Sequence, residues 1–163
     1  MRYQVHSIHE AVMQRPQAFV IGQFILFAIY AAVWVLLPRT ATSVAVVAGI
    51  ILVLAAASLL ALAILEHQRR NASLPNISPS PDRRAALVAT GLYRFVRHPI
   101  YTAVLAGVLG TALMHGSWVT LALFIVIAVF FTVKSRYEEG LLKQVYPGYA
   151  AYMQRTGRFL PLV

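Results

Sequence analysis

The sequence predicts an all-α polytopic membrane protein, and three observations carry that expectation. Of 163 residues, 60% are hydrophobic and 12% charged, with a mean hydropathy of +0.70, a balance too apolar for an ordinary soluble domain. The apolar residues fall into long runs separated by short polar links. Finally, thirteen of the fourteen Lys and Arg residues lie before the first run, between the second and third, or after the fourth; only Arg39 lies on the other side. By the positive-inside rule, that asymmetry puts both termini and the entry to the third helix at the cytoplasmic face. The formal charge of +9 thus follows membrane topology rather than forming the basic stripe of a nucleic-acid-binding surface. No cysteine is present, which excludes disulfides, cysteine-ligated metal and a thiol nucleophile.

Taken in order, Arg2 to Arg15 place Val5, Ile8 and Val12 at helical spacing between polar residues, the pattern of a short helix lying at the interface. His6 and His9 stand three apart but lack a third metal ligand nearby, so they read as a solvated helix face. The run from Ala18 to Leu37 is apolar except for Gln23 and matches the roughly 20 residues that cross a bilayer, with Trp34 placed as an interfacial anchor. It is too long for the apolar core of a secretion signal. The link Pro38 to Thr42 forces an antiparallel return into a second helix over 43–65, capped by Thr42 or Ser43 and rich in alanine (Ala55, Ala56, Ala57) for close packing. Residues 66–98 form a polar cytoplasmic loop in which Pro75, Pro79 and Pro81 forbid a continuous helix. The triplets Asn71-Ala72-Ser73 and Asn76-Ile77-Ser78 match the glycosylation pattern, but the topology puts them on the cytoplasmic side.

Pro99 lacks an N–H and suits the first turn of a third helix, expected over 99–114, whose Ala103, Ala106, Gly107 and Gly110 present a small-residue face. His115-Gly116-Ser117 turns the chain into a fourth helix over 118–133. Helices three and four are both short for a full span. The cap 134–163 continues helix four, breaks at Pro147-Gly148 and resumes as a short interfacial helix carrying Tyr149 and Tyr152 as membrane-depth anchors. The whole chain, 1–163, is expected to be one membrane domain.

Chemistry concentrates in Gly91 to Tyr101, which crowds Arg94, Arg97 and His98 against the start of an apolar run. Charge so close to lipid is costly and marks a functional site by default. The plainer readings are that both arginines serve topology and that His98 is satisfied by backbone at a helix start. The Glu138-Glu139 pair either faces a ligand or answers Lys134, Arg136 and Lys143 at helical spacing. Arg158 either folds back over the site or meets lipid phosphate.

The residues Gly91, Tyr93, Arg97, His98, Pro99 and Tyr101, followed one helical hairpin later by Glu138, Glu139, Leu142, Tyr149 and Tyr152, resemble the shared pattern of the isoprenylcysteine carboxyl methyltransferase and phospholipid methyltransferase group of membrane enzymes. The similarity runs from Leu87 to Pro161. It implies that Leu87, Val88, Tyr93, His98, Pro99, Ile100, Tyr101 and Glu138 contact S-adenosyl-L-methionine, with Leu87 and Val88 along its adenosine. It also implies that basic residues just before the acids meet the methyl acceptor. Here those are Lys134, which stands where the family has arginine and binds only as a point charge, and its neighbour Arg136. Ala85 stands where family members commonly have histidine.

The residue inventory suits that cofactor. His98 and the open N–H groups of helix three offer donors to a carboxylate. Glu138 or Glu139 accepts from an amine or ribose, and Tyr93 and Tyr101 wall an adenosine or sulfonium. Lys134, Arg136 and Glu139 are the catalytic candidates, with Glu139 or His98 as a base where the acceptor needs one. No metal is called for. The expected function is methyl transfer to a lipophilic acceptor from the bilayer of a bacterial inner (plasma) membrane, at its cytoplasmic face. The alternative is a non-catalytic membrane scaffold or assembly factor.

Overall fold

The computed structural model describes residues 2–79 and 86–162, with side chains from Pro16 onward. Five α-helices follow in order: α1 (Arg2–Leu36), α2 (Ser43–Asn71), α3 (Pro99–His115), α4 (Trp118–Val145) and α5 (Tyr149–Gln154), with a single 3₁₀ turn at Gly91–Arg94. Among the described residues there is no strand, only an isolated parallel bridge between Val96 and Gly157. Three segments are long and apolar enough to cross a membrane, Pro16–Leu36, Ser43–Asn71 and Trp118–Val145; Pro99–His115 is apolar but shorter. At 1.5 Å per residue α3 rises roughly 26 Å, a few ångström less than the hydrocarbon core.

Local chemistry explains where the helices begin. The Thr42 hydroxyl accepts from Ala45 N–H at 3.3 Å, and Ser117 accepts from Val119 and Thr120 N–H at 3.1 and 3.4 Å, so each helix start satisfies part of its open backbone. Pro99 occupies the first helical turn of α3. Gly116 adopts φ +79°, and a Cβ there would collide with the Ala41 backbone, so this turn takes only glycine.

Two boundaries, and the expected shortness of the fourth helix, differ from the sequence expectation. The N-terminal interfacial helix and the first spanning helix form one element, α1, while the His6 and His9 side chains lie outside the described residues. Helix α2 continues past Leu65 to Asn71 because no proline occurs before Pro75 and Arg69 and Arg70 complement the dipole of its last turn. Helix α4 continues to Val145 and ends before Pro147, as the sequence implies, but with that continuation it is not short for a span. Residues 80–85, including Ala85, fall outside the described part of the loop.

Helix α2 lies antiparallel to α3, its first turn beside the end of α3, where Thr40 N–H donates to His115 O at 2.9 Å. The seam between them is made of small residues. Gly49, Ala56 and Ala63 are buried at seven-residue spacing on α2, facing Ala103, Gly107 and Gly110 of α3. A Cβ on Gly110 would stand 2.8 Å from Gly49 O, and one on Gly49 would collide with Gly110 O. Close backbone approach of this kind is how helices gain dispersion contact where lipid offers no hydrophobic drive.

Helix α1 packs antiparallel to α4 through Phe19 on Phe130 and Tyr137, and Phe27 on Phe131. It is tied to α3 by Tyr30 Oη donating to Val108 O at 3.0 Å and Trp34 Nε1 to Thr111 O at 3.1 Å. The expected membrane anchor Trp34 is therefore also an inter-helix clasp, with Arg39 stacked 4.2 Å over its ring.

Replacing Gly110 by leucine is expected to lower the thermal midpoint of the detergent-purified protein, at a cost of about 1–3 kcal/mol from overpacking. Gly140→Ala, where a Cβ meets nothing within 4 Å, should stabilise by about 0.5–1 kcal/mol through helix propensity. Equal midpoints for the two variants would contradict the seam.

Candidate active site

At the end of the bundle where α2 finishes and α3 begins, the chain encloses a cavity of about 520 Å³, within the roughly 300–1,000 Å³ of small-molecule sites. Each wall follows from helical phase. Ile64, His67 and Asn71 of α2 and Phe131, Lys134, Glu138 and Leu142 of α4 recur at three- and four-residue steps and all line it. The first turn of α3 gives Pro99, Ile100 and Tyr101, and the extended approach to the 3₁₀ turn gives Leu87 and Val88. The stretch Ser73–Ser78 folds inward to form another wall, after a left-handed turn at Ala72 (φ 52°).

Glu138 and Glu139 are adjacent on α4 and so point about 100° apart. Glu138 faces the cavity, where its Oε2 accepts from Tyr101 Oη at 2.9 Å and lies 3.8 Å from His98 Nδ1. Glu139, 3% exposed, faces away, toward the chain's tail. Its Oε1 accepts from Arg97 Nε at 2.9 Å and Arg158 Nε at 3.1 Å, and its Oε2 from Arg158 Nη2 at 2.6 Å. His98 Nε2 stands 3.3 Å from Oε1, an electrostatic contact outside hydrogen-bonding geometry. The bonds to Glu139 hold the Arg158 guanidinium above even its usual high pKa, so it stays charged.

The tail returns over this cluster. Arg97 N–H donates to Gly157 O at 2.8 Å, His98 N–H to Arg158 O at 3.1 Å, and Gly157 N–H to Phe95 O at 3.0 Å. Arg97 Nη1 donates to Met153 O at 3.0 Å and to Thr156 O. Between them, α5 turns Tyr149 and Tyr152 inward. Both are buried and line the cavity rather than anchoring at the membrane interface. Burial pushes the Tyr152 phenol up to about 12, opposed by the charge on Arg97; it remains a donor and bonds Tyr93 O at 2.5 Å. Burial raises the Tyr93 phenol as well, reinforced by Tyr152, Glu138 and Glu66.

Lys134 is fully buried. Its Nζ donates to Gln23 Oε1 of α1 at 2.6 Å and to Ile77 O at 3.0 Å, and sits 5.3 Å from the Tyr101 ring centroid and 5.7 Å from that of Phe131. Both hydrogen-bond acceptors are neutral. Among the described residues no carboxylate lies within ion-pair distance. A buried ammonium hydrogen-bonded to neutral acceptors, with its nearest acid Glu138 beyond ion-pair distance, is incompletely compensated, which makes the adjoining space attractive to an anion.

All eight residues that the resemblance sets around the cofactor, Leu87, Val88, Tyr93, His98, Pro99, Ile100, Tyr101 and Glu138, line this single cavity. Of the three catalytic candidates, Lys134 lines it, Glu139 lies behind its wall in the arginine cluster, and Arg136 is on an exposed face of α4 away from it. Gln23, His67, Asn71, Ile77, Tyr149 and Tyr152 also line it without having been singled out as site residues. Gln23 carried a signal, being the one polar residue in its apolar run. His67 and Asn71 continue the phase of Ile64, but only on a helix extended beyond Leu65.

Glu139→Gln is expected to cost roughly 3 kcal/mol of stability, because it leaves two guanidinium groups facing a neutral amide in a buried cluster. Glu138→Gln, whose carboxylate meets the cavity, should cost less than about 1 kcal/mol. Thermal or denaturant unfolding in detergent checks the order of the two.

The cavity and its residues can be compared with known proteins. A family model described as phospholipid methyltransferase matches residues 44–148, well over half of the chain. A cobalt-zinc-cadmium resistance protein of Cupriavidus metallidurans is 37% identical over 76 residues, 46% of this chain and 35% of that protein. A nickel-cobalt-cadmium resistance protein of Alcaligenes xylosoxydans xylosoxydans is 36% identical over 77 residues, 46% of this chain and 36% of its own. A protein-S-isoprenylcysteine O-methyltransferase of Schizosaccharomyces pombe is 33% identical over 79 residues, 47% of this chain and 34% of that enzyme. The chain spans about a third of the length of these curated relatives. The family match begins at the head of α2 and ends at the joint between α4 and α5, so that it takes in Gly91 to Tyr101 and the Glu138-Glu139 pair with Leu142, and the chain belongs to the phospholipid methyltransferase family.

Proposed function

We propose that this protein is an integral membrane methyltransferase that uses S-adenosyl-L-methionine at the cytoplasmic face and methylates a lipophilic acceptor reached from the bilayer. The observation that carries the reading is the convergence of His98, Tyr101 and Glu138, from two separate motif blocks, on one cavity of about 520 Å³. Family membership supports the reaction class. In this reading the chain is a single membrane domain, with α1 to α4 crossing the bilayer and both termini in the cytoplasm, as the distribution of Lys and Arg favours.

The residues present fit the cofactor in volume and in chemistry. His98 and the open N–H groups of Ile100 and Tyr101 suit its carboxylate; Glu138 suits its amine or ribose hydroxyls; Leu87 and Val88 lie along the adenosine. The cofactor, when bound, supplies an electrophilic methyl on a sulfonium. Tyr93 and Tyr101 offer aromatic faces compatible with that cation. The hydrogen bond from Tyr101 to Glu138 holds ring and carboxylate in fixed relation, so less freedom is lost on binding.

Lys134 receives the acceptor. Its charge favours a group that is anionic at the atom to be methylated, and such a group needs no base. Glu139, with both oxygens engaged by arginines, serves as a positioning residue behind His98 rather than as a base. His98 is the side chain at the cavity wall able to carry a proton where an acceptor has one to lose. Arg136 has no part in this mechanism. The loop wall Ser73–Ser78 and the tail together keep water from the reacting atoms.

Titration calorimetry of the detergent-purified protein with S-adenosylhomocysteine is expected to give saturable heat, lost in His98→Ala and Glu138→Ala. Absence of heat with the intact protein overturns the reading. Incubation with methyl-labelled cofactor and total lipid extract should label a lipid; binding without any labelled product would instead favour the non-catalytic scaffold. Once an acceptor is in hand, Lys134→Met should lower kcat/KM on the order of 100-fold while leaving cofactor binding within about threefold, because it removes a buried charge partner of the acceptor alone.

A further inference from the structure

The last turn of α2 brings to the cavity a polar side chain that the mechanism above leaves unused. Asn71 lines the cavity on the same face as Ile64 and His67. Its Oδ1 accepts from Ala86 N–H at 2.8 Å, which settles the orientation of the amide: oxygen toward the extended approach to the 3₁₀ turn, NH₂ the other way. That Nδ2 is buried and has no hydrogen-bond partner among the described residues. A buried donor without a partner is costly, and native structures keep such groups chiefly where something else completes them.

Its position indicates what that something is. Ala86, to which Asn71 is bonded, directly precedes Leu87 and Val88, the pair set along the adenosine. Val88 is itself buried against Ala63 and Tyr93. The polar end of the cavity, with His98, Glu138 and the start of α3, is supplied by other elements. An adenine edge carries unprotonated ring nitrogens, which are acceptors only and match an amide donor. We propose that Asn71 Nδ2 donates to a ring nitrogen of the cofactor's adenine, so that the last turn of α2 reads the purine. This rests on the methyltransferase reading. It adds a specificity-determining residue outside both motif blocks.

The test uses the full-length protein in detergent and measures binding, not turnover. S-adenosylhomocysteine and its 1-deaza, 3-deaza and 7-deaza analogues are titrated into the wild type, Asn71→Asp and Asn71→Ala. Asn71→Asp keeps an oxygen for Ala86 N–H while replacing the donor, so a structural role alone would leave its binding unchanged. The expected result is about tenfold weaker binding of the parent ligand by both variants. On the wild type one deaza analogue should show a similar loss, and on Asn71→Ala all four ligands should bind alike. No binding by the wild type overturns the methyltransferase reading itself. Wild-type binding that is indifferent to every deaza substitution overturns only the role of Asn71, and needs no variant to fold.

Discussion

One buried carboxylate holds the functional end of this molecule in shape. Glu139 of α4 is gripped by Arg97 from the approach to α3 and by Arg158 from the tail, so three segments distant in sequence share one anion. Two opposed arginines and an excluded solvent make the cluster tight, and its geometry fixes more than its own members. It sets the parallel pairing of Val96 with Gly157. It also brings Phe159 O to Thr102 Oγ1 at 2.8 Å and Phe159 edge-on to His98. The imidazole at the cavity wall is thereby backed by the tail on one side and stacked on Tyr101, 5.3 Å away and nearly coplanar in tilt, on the other. A ring so bounded has little freedom left to lose when a ligand arrives.

The small-residue seam contributes the second constraint. Because Gly49 and Gly110 let the α2 and α3 backbones touch, the end of α2 is carried close to the start of α3, and the polar face of one meets the open N–H groups of the other. A third tie comes from Lys134, which joins α4 to α1 through Gln23 and to the loop through Ile77 O. The two polar ties, at Glu139 and at Lys134, both lie at the end of the bundle that holds the cavity. The opposite end, where Trp34, Thr111 and the Gly116 turn meet, is held by packing together with hydrogen bonds from Trp34 to Thr111 O and from Thr40 to His115 O and Gly116 O.

Much of the fold was legible in the sequence for simple reasons. Long apolar runs, a cap at Thr42 or Ser43, the turn at Gly116-Ser117 and Pro99 at a helix start are local signals that tertiary structure has little reason to override. The end of α2 was less legible, since that helix runs on through polar residues that propensity tolerates and only packing makes necessary. Of the site, the motif residues were recognisable by resemblance, whereas Tyr149 and Tyr152 read as interface anchors until α5 was seen to turn them inward. The different fates of Lys134 and Arg136 depend on the rotational phase of α4, which two basic residues two positions apart do not reveal. Asn71 was hidden by the same difficulty, because its alignment with Ile64 matters only if the helix reaches it.

The division of labour between Glu138 and Glu139 carries a consequence for how α4 can vary. Neighbouring acids look interchangeable, yet one belongs to the ligand space and the other to the scaffold, and only the winding of the helix keeps them apart. Deleting a single residue between Phe131 and Lys134 would rotate the pair by about 100°, swinging the anchor acid toward the chamber and away from the arginines, whereas an insertion would turn the ligand-facing acid toward the arginines and away from the chamber. Length changes in this stretch should therefore be tolerated far less readily than substitutions.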